Sequence, residues 1–100
     1  MDLNKLFPFL QFYFEGSDTL SIEKTETSVI IRFHKPTNKN FDGLSIINSR
    51  HGGVKIALLK GDDVTYDESC GYPNLEVSYA YDLNEVVLEV ERLIKYLYKI

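Results

Sequence analysis

An α+β domain is predicted: an antiparallel sheet of five to six strands built from hairpins, with an N-terminal and a C-terminal helix packed on one face. Apolar residues recur at helical spacing only near the two ends of the chain, and between those ends the apolar period drops to two. The alternating segments are joined by turns too short for the crossovers that parallel neighbours require, so the pairing is antiparallel. At 100 residues, 44% hydrophobic and 13% aromatic, residues 1–100 form a single globular domain. Such a chain buries roughly 65% of the surface it exposes when unfolded, and its composition is far from that of a disordered segment.

Taken in order, Leu3, Leu6, Phe7, Leu10 and Phe14 follow a helical period, with Asp2 as a cap and Gly16 as a stop. Pro8 cannot donate a backbone hydrogen bond inside a helix, so a short helix starting at Pro8, the tolerated first-turn position, is expected. Phe9, Phe12 and Tyr13 leave that helix little polar surface and predict that most of it is buried. Residues 20–24 and 29–35 alternate around Thr25-Glu26-Thr27 and read as a hairpin, with Ile31 and Phe33 on one face and Ile30, Arg32 and His34 on the other. Residues 36–43 read as a loop. Residues 44–49 and 54–60 flank Arg50-His51-Gly52-Gly53, where the glycines supply the positive φ of a tight reversal. Residues 64–67 and 75–81 read as a last pair of strands joined by 68–74, with Leu75, Val77, Tyr79 and Tyr81 on one face.

The final helix carries the clearest local signals. Asp82-Leu83-Asn84-Glu85 is a capping box, and Tyr81 and Val86 are spaced for a hydrophobic staple. Leu83, Val86, Val87, Val90, Leu93, Ile94 and Leu97 recur on one face. Glu85, Glu89 and Glu91 lie toward the start and Arg92, Lys95 and Lys99 toward the end, as the helix dipole prefers. Leu88, Tyr96 and Tyr98 fall off the main face; as partner-facing positions they would make the chain a subunit of a homo-oligomer or larger assembly.

Charge is sorted along the chain. Between residues 61 and 91 stand nine carboxylates (Asp62, Asp63, Asp67, Glu68, Glu76, Asp82, Glu85, Glu89, Glu91) and no lysine or arginine. Residues 32–60 hold Arg32, Lys35, Lys39, Arg50, Lys55 and Lys60 against the single acid Asp42. Sorting of this kind serves attraction of an oppositely charged partner better than it serves stability. With Tyr66 and Tyr72 beside it, the acidic stretch combines electrostatic steering with aromatic anchors, so Asp62, Asp63, Tyr66, Asp67, Glu68 and Tyr72 are the candidate partner-binding residues.

The other chemistries are less well supported by the residues. Asp62, Asp63, Asp67 and Glu68 are hard-cation ligands by type, but they match no EF-hand spacing and lack its central glycine, so a solvated turn is the plainer reading and no metal or other cofactor is expected. Cys70 with His34 or His51 is the only thiol–imidazole combination in the chain. It carries no nucleophile signature, and no enzymatic activity is expected. Gly52-Gly53 and Gly61 lack the residues of a phosphate loop. Phe33, His34 and Phe41 among the bases hint at nucleic acid, yet the acidic stretch and a formal net charge of -4 oppose it, and an anionic membrane equally. One cysteine permits no internal disulfide, the apolar N-terminus carries Asp2 and Pro8 where a leader would not, and no apolar run is long enough to cross a bilayer. A cytoplasmic location is expected.

In its size, the acidic residues from Asp62 to Glu91, its single cysteine and its lack of catalytic motifs, the chain resembles the small acidic immunity proteins that bacteria make against contact-dependent or secreted toxins, many of them basic nucleases. The resemblance implies a cytoplasmic, non-enzymatic inhibitor, a monomer rather than a homo-oligomer. Such a protein neutralises a co-encoded basic toxin by covering its active site or a neighbouring surface.

Overall fold

A computed structural model describes residues 1–38, 41–50, 52–60, 63–64 and 77–99, with 63, 64, 77 and 78 described by their backbone. The chain runs α1 (Leu3–Tyr13), β1 (Leu20–Lys24), β2 (Ser28–Phe33), β3 (Gly43–Asn48), β4 (Val54–Lys60), β5 (Asp63–Val64), β6 (Val77–Ala80) and α2 (Leu83–Tyr98). The α+β class, the antiparallel pairing and the two terminal helices agree with the sequence.

The sheet is a meander in the order β1-β2-β3-β4, and beyond β4 its last position is shared. Both β5 and β6 pair antiparallel with β4, the first opposite Leu59 and Lys60, the second opposite residues 54–57. Of the expected hairpin of residues 64–67 with 75–81, positions 65–67, the 68–74 loop, 75 and 76 lie outside the described residues; among the described ones, β5 and β6 lie end to end along β4 and do not pair with each other. From Lys60 to Ala57 the register moves three residues along β4 while the facing chain moves from Asp63 to Val77. The two segments are thus out of phase by eleven residues. Pairing with a long, established strand satisfies more backbone groups than a two-residue strand offers, so β4 is the template for both.

The first hairpin closes where the threonines predicted it. Thr25 N donates to Ser28 O at 2.9 Å, and Thr25 Oγ1 accepts from Ser28 N at 3.0 Å, so one side chain holds the turn while Glu26 stays exposed. The second turns through Gly52 (φ 87°) and Gly53 (φ 66°), with Ser49 N donating to Gly53 O at 3.1 Å.

Register assigns the faces. Ile31, Leu44 and Leu58 are successive cross-strand neighbours, as are Val29, Ile46 and Ile56, and Val54 faces Ala80. All are buried beneath the helices, together with Leu6 and Leu10 of α1 and Val86, Val90, Leu93 and Leu97 of α2. Each such side chain contributes roughly 1.5–3 kcal/mol by leaving water. Alternation puts Ala57 and Leu59 on the opposite face, and they too are buried, at 1% and 2% exposure, outside the core cluster. The face away from the helices is therefore not bare.

The first helix starts earlier than the sequence suggested. It begins at Leu3 with Asp2 as N-cap, whose Oδ1 accepts from Asn4 N at 2.9 Å, and Pro8 lies inside it. An interior proline costs about 3 kcal/mol, but here it sits on the exposed side, where the carbonyl it fails to satisfy meets water. Beginning at Leu3 buries Leu3 and Leu6, which offsets that cost. The expectation that most of this helix is buried is also corrected. Phe12 is 79% exposed and Tyr13 46%, because Leu3, Leu6 and Leu10 alone occupy the inward stripe.

The loop after β2 has an assignment the sequence did not reveal. Asn38 donates from its backbone N to Leu97 O and from Nδ2 to Tyr98 O, both at 2.8 Å, which satisfies carbonyls that a helix end leaves unpaired. Tyr98 returns the connection, donating from its hydroxyl to Lys35 O at 2.9 Å with its ring edge-on to Phe33. Burial pushes the Tyr98 hydroxyl pKa up.

Candidate functional site

Of the six candidate partner-binding residues, Asp63 opens β5, where its Cα is the register partner of Lys60. Asp62, Tyr66, Asp67, Glu68 and Tyr72 lie outside the described residues, as do Glu76, Cys70 and His51. The second histidine, His34, is described: its Nδ1 lies 3.1 Å from Asp18 O, tying the end of β2 to the chain entering β1. Among the described residues no group of three or more His, Cys, Asp or Glu side chains is arranged to hold a metal ion, and no helix is long and apolar enough to cross a membrane.

The described remainder of the acidic stretch lies on α2, and there most of its charge is engaged. Asp82 caps the helix, its Oδ1 accepting from Glu85 N at 2.8 Å. Glu85 stands in the first turn, where the exposed N–H groups favour a negative neighbour. Glu89 pairs with Arg92 Nε at 2.9 Å. Glu91 reaches across to α1 and accepts the Tyr13 hydroxyl at 2.5 Å, a charge-assisted bond linking residues 78 positions apart.

That last contact sets a pH dependence. The Tyr13 hydroxyl pKa is raised above its ordinary 10.0, first because Glu91 accepts its proton, then by loss of solvent and by the carboxylate's charge. A pKa raised by folding contributes stability that is whole below the unfolded value and is lost as pH climbs through the folded one. Tyr13→Phe is therefore expected to be less stable than the parent at pH 7, with the difference vanishing in urea melts taken well above pH 10. A difference that persists undiminished there would mean that ring packing, and not the hydrogen bond, links the helices.

Two bases of β4 lie beside the strands that follow it. Lys55 Nζ lies 5.7 Å from the centre of the Tyr79 ring on the adjacent strand, and Lys60 is in register with Asp63. The antiparallel return of β5 and β6 along β4 brings Asp63 into register with the end of the basic section. Toward the other edge of the sheet, Arg32 Nε approaches Glu23 Oε2 at 3.7 Å across β1 and β2.

Of the off-face residues on α2, Leu88 is 64% exposed, whereas Tyr98 is bonded to Lys35 and Tyr96 packs on the core. The apolar surface available for self-association through this helix is thus smaller than three residues.

One feature escaped the sequence. β1 is the edge strand, pairing only with β2 among the described residues, and residues 15–26 around it hold Glu15, Asp18, Glu23 and Glu26 against Lys24. This second acidic group was legible as composition, but the denser stretch after residue 61 dominates the charge pattern, and nothing in β1 itself marks it as an edge.

No protein-family model, curated protein or solved structure matches this chain.

Proposed function

We propose that this protein is a non-enzymatic inhibitor that binds a basic, nuclease-like bacterial toxin through an acidic surface, as the immunity proteins it resembles do. The observation that carries the reading is the run of nine carboxylates from Asp62 to Glu91 with no lysine or arginine among them. Asp82, Glu89 and Glu91 have partners within the fold, and the residues that make the contact in this reading are Asp62, Asp63, Tyr66, Asp67, Glu68 and Tyr72. Carboxylates there stand where substrate phosphates would sit in a basic cleft, and the tyrosines bury area at small entropic cost. Association is then fast and falls with salt, because screening shortens the reach of the attraction.

The test is association kinetics with the basic toxin domain encoded beside it. Replacing Asp62, Asp63 and Asp67 together with lysine is expected to slow association about tenfold or more and to flatten its salt dependence, with the circular dichroism spectrum unchanged. An unaltered association rate in a folded variant would end the proposal.

A further inference from the structure

β1 lies at the opposite end of the sheet from β5 and β6, the strands that border the acidic run. In an antiparallel pair, residues that exchange hydrogen bonds alternate with residues that do not. His34 N donates to Thr19 O at 2.8 Å and Thr25 N to Ser28 O at 2.9 Å, and both pairs share the register in which Ser21 faces Arg32 and Glu23 faces Ile30. Thr19, Ser21, Glu23 and Thr25 therefore turn their backbone groups toward β2. Leu20, Ile22 and Lys24 turn theirs outward, where no strand pairs with them among the described residues.

The side chains of Leu20 and Ile22 belong to the helix-covered face, and they form one wall of an open cleft whose other wall is Gln11 and Phe14 at the end of α1. Leu20, Ile22 and Phe14 are half-buried. The cleft holds about 170 Å³, below the roughly 300–1,000 Å³ of small-molecule sites and suited to a side chain. An unpaired strand edge beside a side-chain cleft under a helix is the arrangement that captures extended peptides: main-chain bonds supply affinity and the cleft selects alternate residues.

Charge decides the occupant. Glu15 and Asp18 precede the strand, Glu23 lies on it and Glu26 follows in the turn, and all four are exposed. Two bases lie beside them: Lys24 donates from Nζ to its own neighbour's carbonyl, Thr25 O, at 3.0 Å, and Arg32 of β2 approaches Glu23 Oε2 at 3.7 Å, a long contact between partly exposed side chains that leaves the carboxylate open to a further base. A second copy paired antiparallel about Ile22 would set Asp18 opposite Glu26 of that copy at both ends, so like charges oppose self-association. We propose that the free edge of β1 and its cleft accept, by strand addition, an extended segment of a partner protein that alternates apolar and basic residues. The apolar residues enter the cleft and the bases meet Glu23 and the flanking acids on the other side.

The test uses the full-length protein and synthetic peptides alternating lysine with valine or glutamate with valine, read by residue-resolved amide hydrogen exchange. The lysine peptide is expected to slow exchange at Leu20, Ile22 and Lys24 by about tenfold, while Ser21 and Glu23, already bonded to β2, change little. A backbone N-methylated version, which cannot complete the ladder, loses that protection. Glu23→Lys with Glu26→Lys, both at exposed positions, weakens binding by about tenfold. Equal binding of the glutamate peptide, protection elsewhere on the molecule, or no binding of the lysine peptide would each overturn the proposal. Protection that rises with protein concentration alone would overturn it too, by making a second copy the occupant.

Discussion

Gly53→Ala is expected to destabilise the protein by about 3 kcal/mol or more, measured as a shift of the urea midpoint at unchanged slope. Two costs combine. At φ 66° the residue is in the left-handed region, where an L side chain costs roughly 1–2 kcal/mol. A Cβ there would also stand 2.3 Å from Ala80 O and 2.8 Å from Tyr81 Cδ1. The carbonyl cannot move aside cheaply, because Ala80 is buried, paired with Val54 and two residues from the Asp82 cap. Gly52→Ala is the matched control: its φ is 87°, but nothing lies within 4 Å of an added Cβ, so only the conformational cost of about 1–2 kcal/mol applies. Equal losses for the two variants would show that the hairpin and the entry to α2 do not meet as closely as the structure has them.

Leu93→Ala is expected to cost about 2–5 kcal/mol. Leu93 is fully buried at the middle of the inward face of α2, between Val90 and Leu97, in the same core cluster as Leu44, Ile46, Ile56 and Leu58 of the sheet. Truncation forfeits the transfer free energy of the lost carbons and leaves a cavity that a close-packed interior fills only partly. Against a total stability of about 5–15 kcal/mol for a domain of this size, the variant melts far below the parent. Leu88→Ala, five residues earlier on the same helix and 64% exposed, is expected to stay within about 0.5 kcal/mol. A large loss at Leu88 would reveal a partner surface that a single chain does not contain.

The two ends of the chain differed in how far they could be read in advance. For α2 the cap at Asp82, the inward repeat from Val86 to Leu97 and the ordering of its charges all agree, and all are local. At α1 the local rule against an interior proline conflicted with the apolar period, and burial of Leu3 and Leu6 prevailed. The candidate site was legible only as a list of charges. Sequence spacing orders Glu89 and Glu91 alike, yet one is bonded to Arg92 on its own helix and the other to Tyr13 on α1. The first of these follows from helical periodicity; the second needs the helices to be docked.

Element type and the two reversals at residues 25–27 and 50–53 follow from composition and spacing alone. They depend on groups a few residues apart: the Thr25 hydroxyl beside Ser28, two glycines with positive φ, and an aspartate before a helix. Tertiary structure alone assigns β5 and β6 to one edge of β4, leaves β1 as the open edge, turns Phe12 outward and bonds Asn38 to the end of α2. Each of those outcomes depends on which distant segment satisfies a backbone group or covers an apolar face, and that competition is decided only when the whole chain is packed.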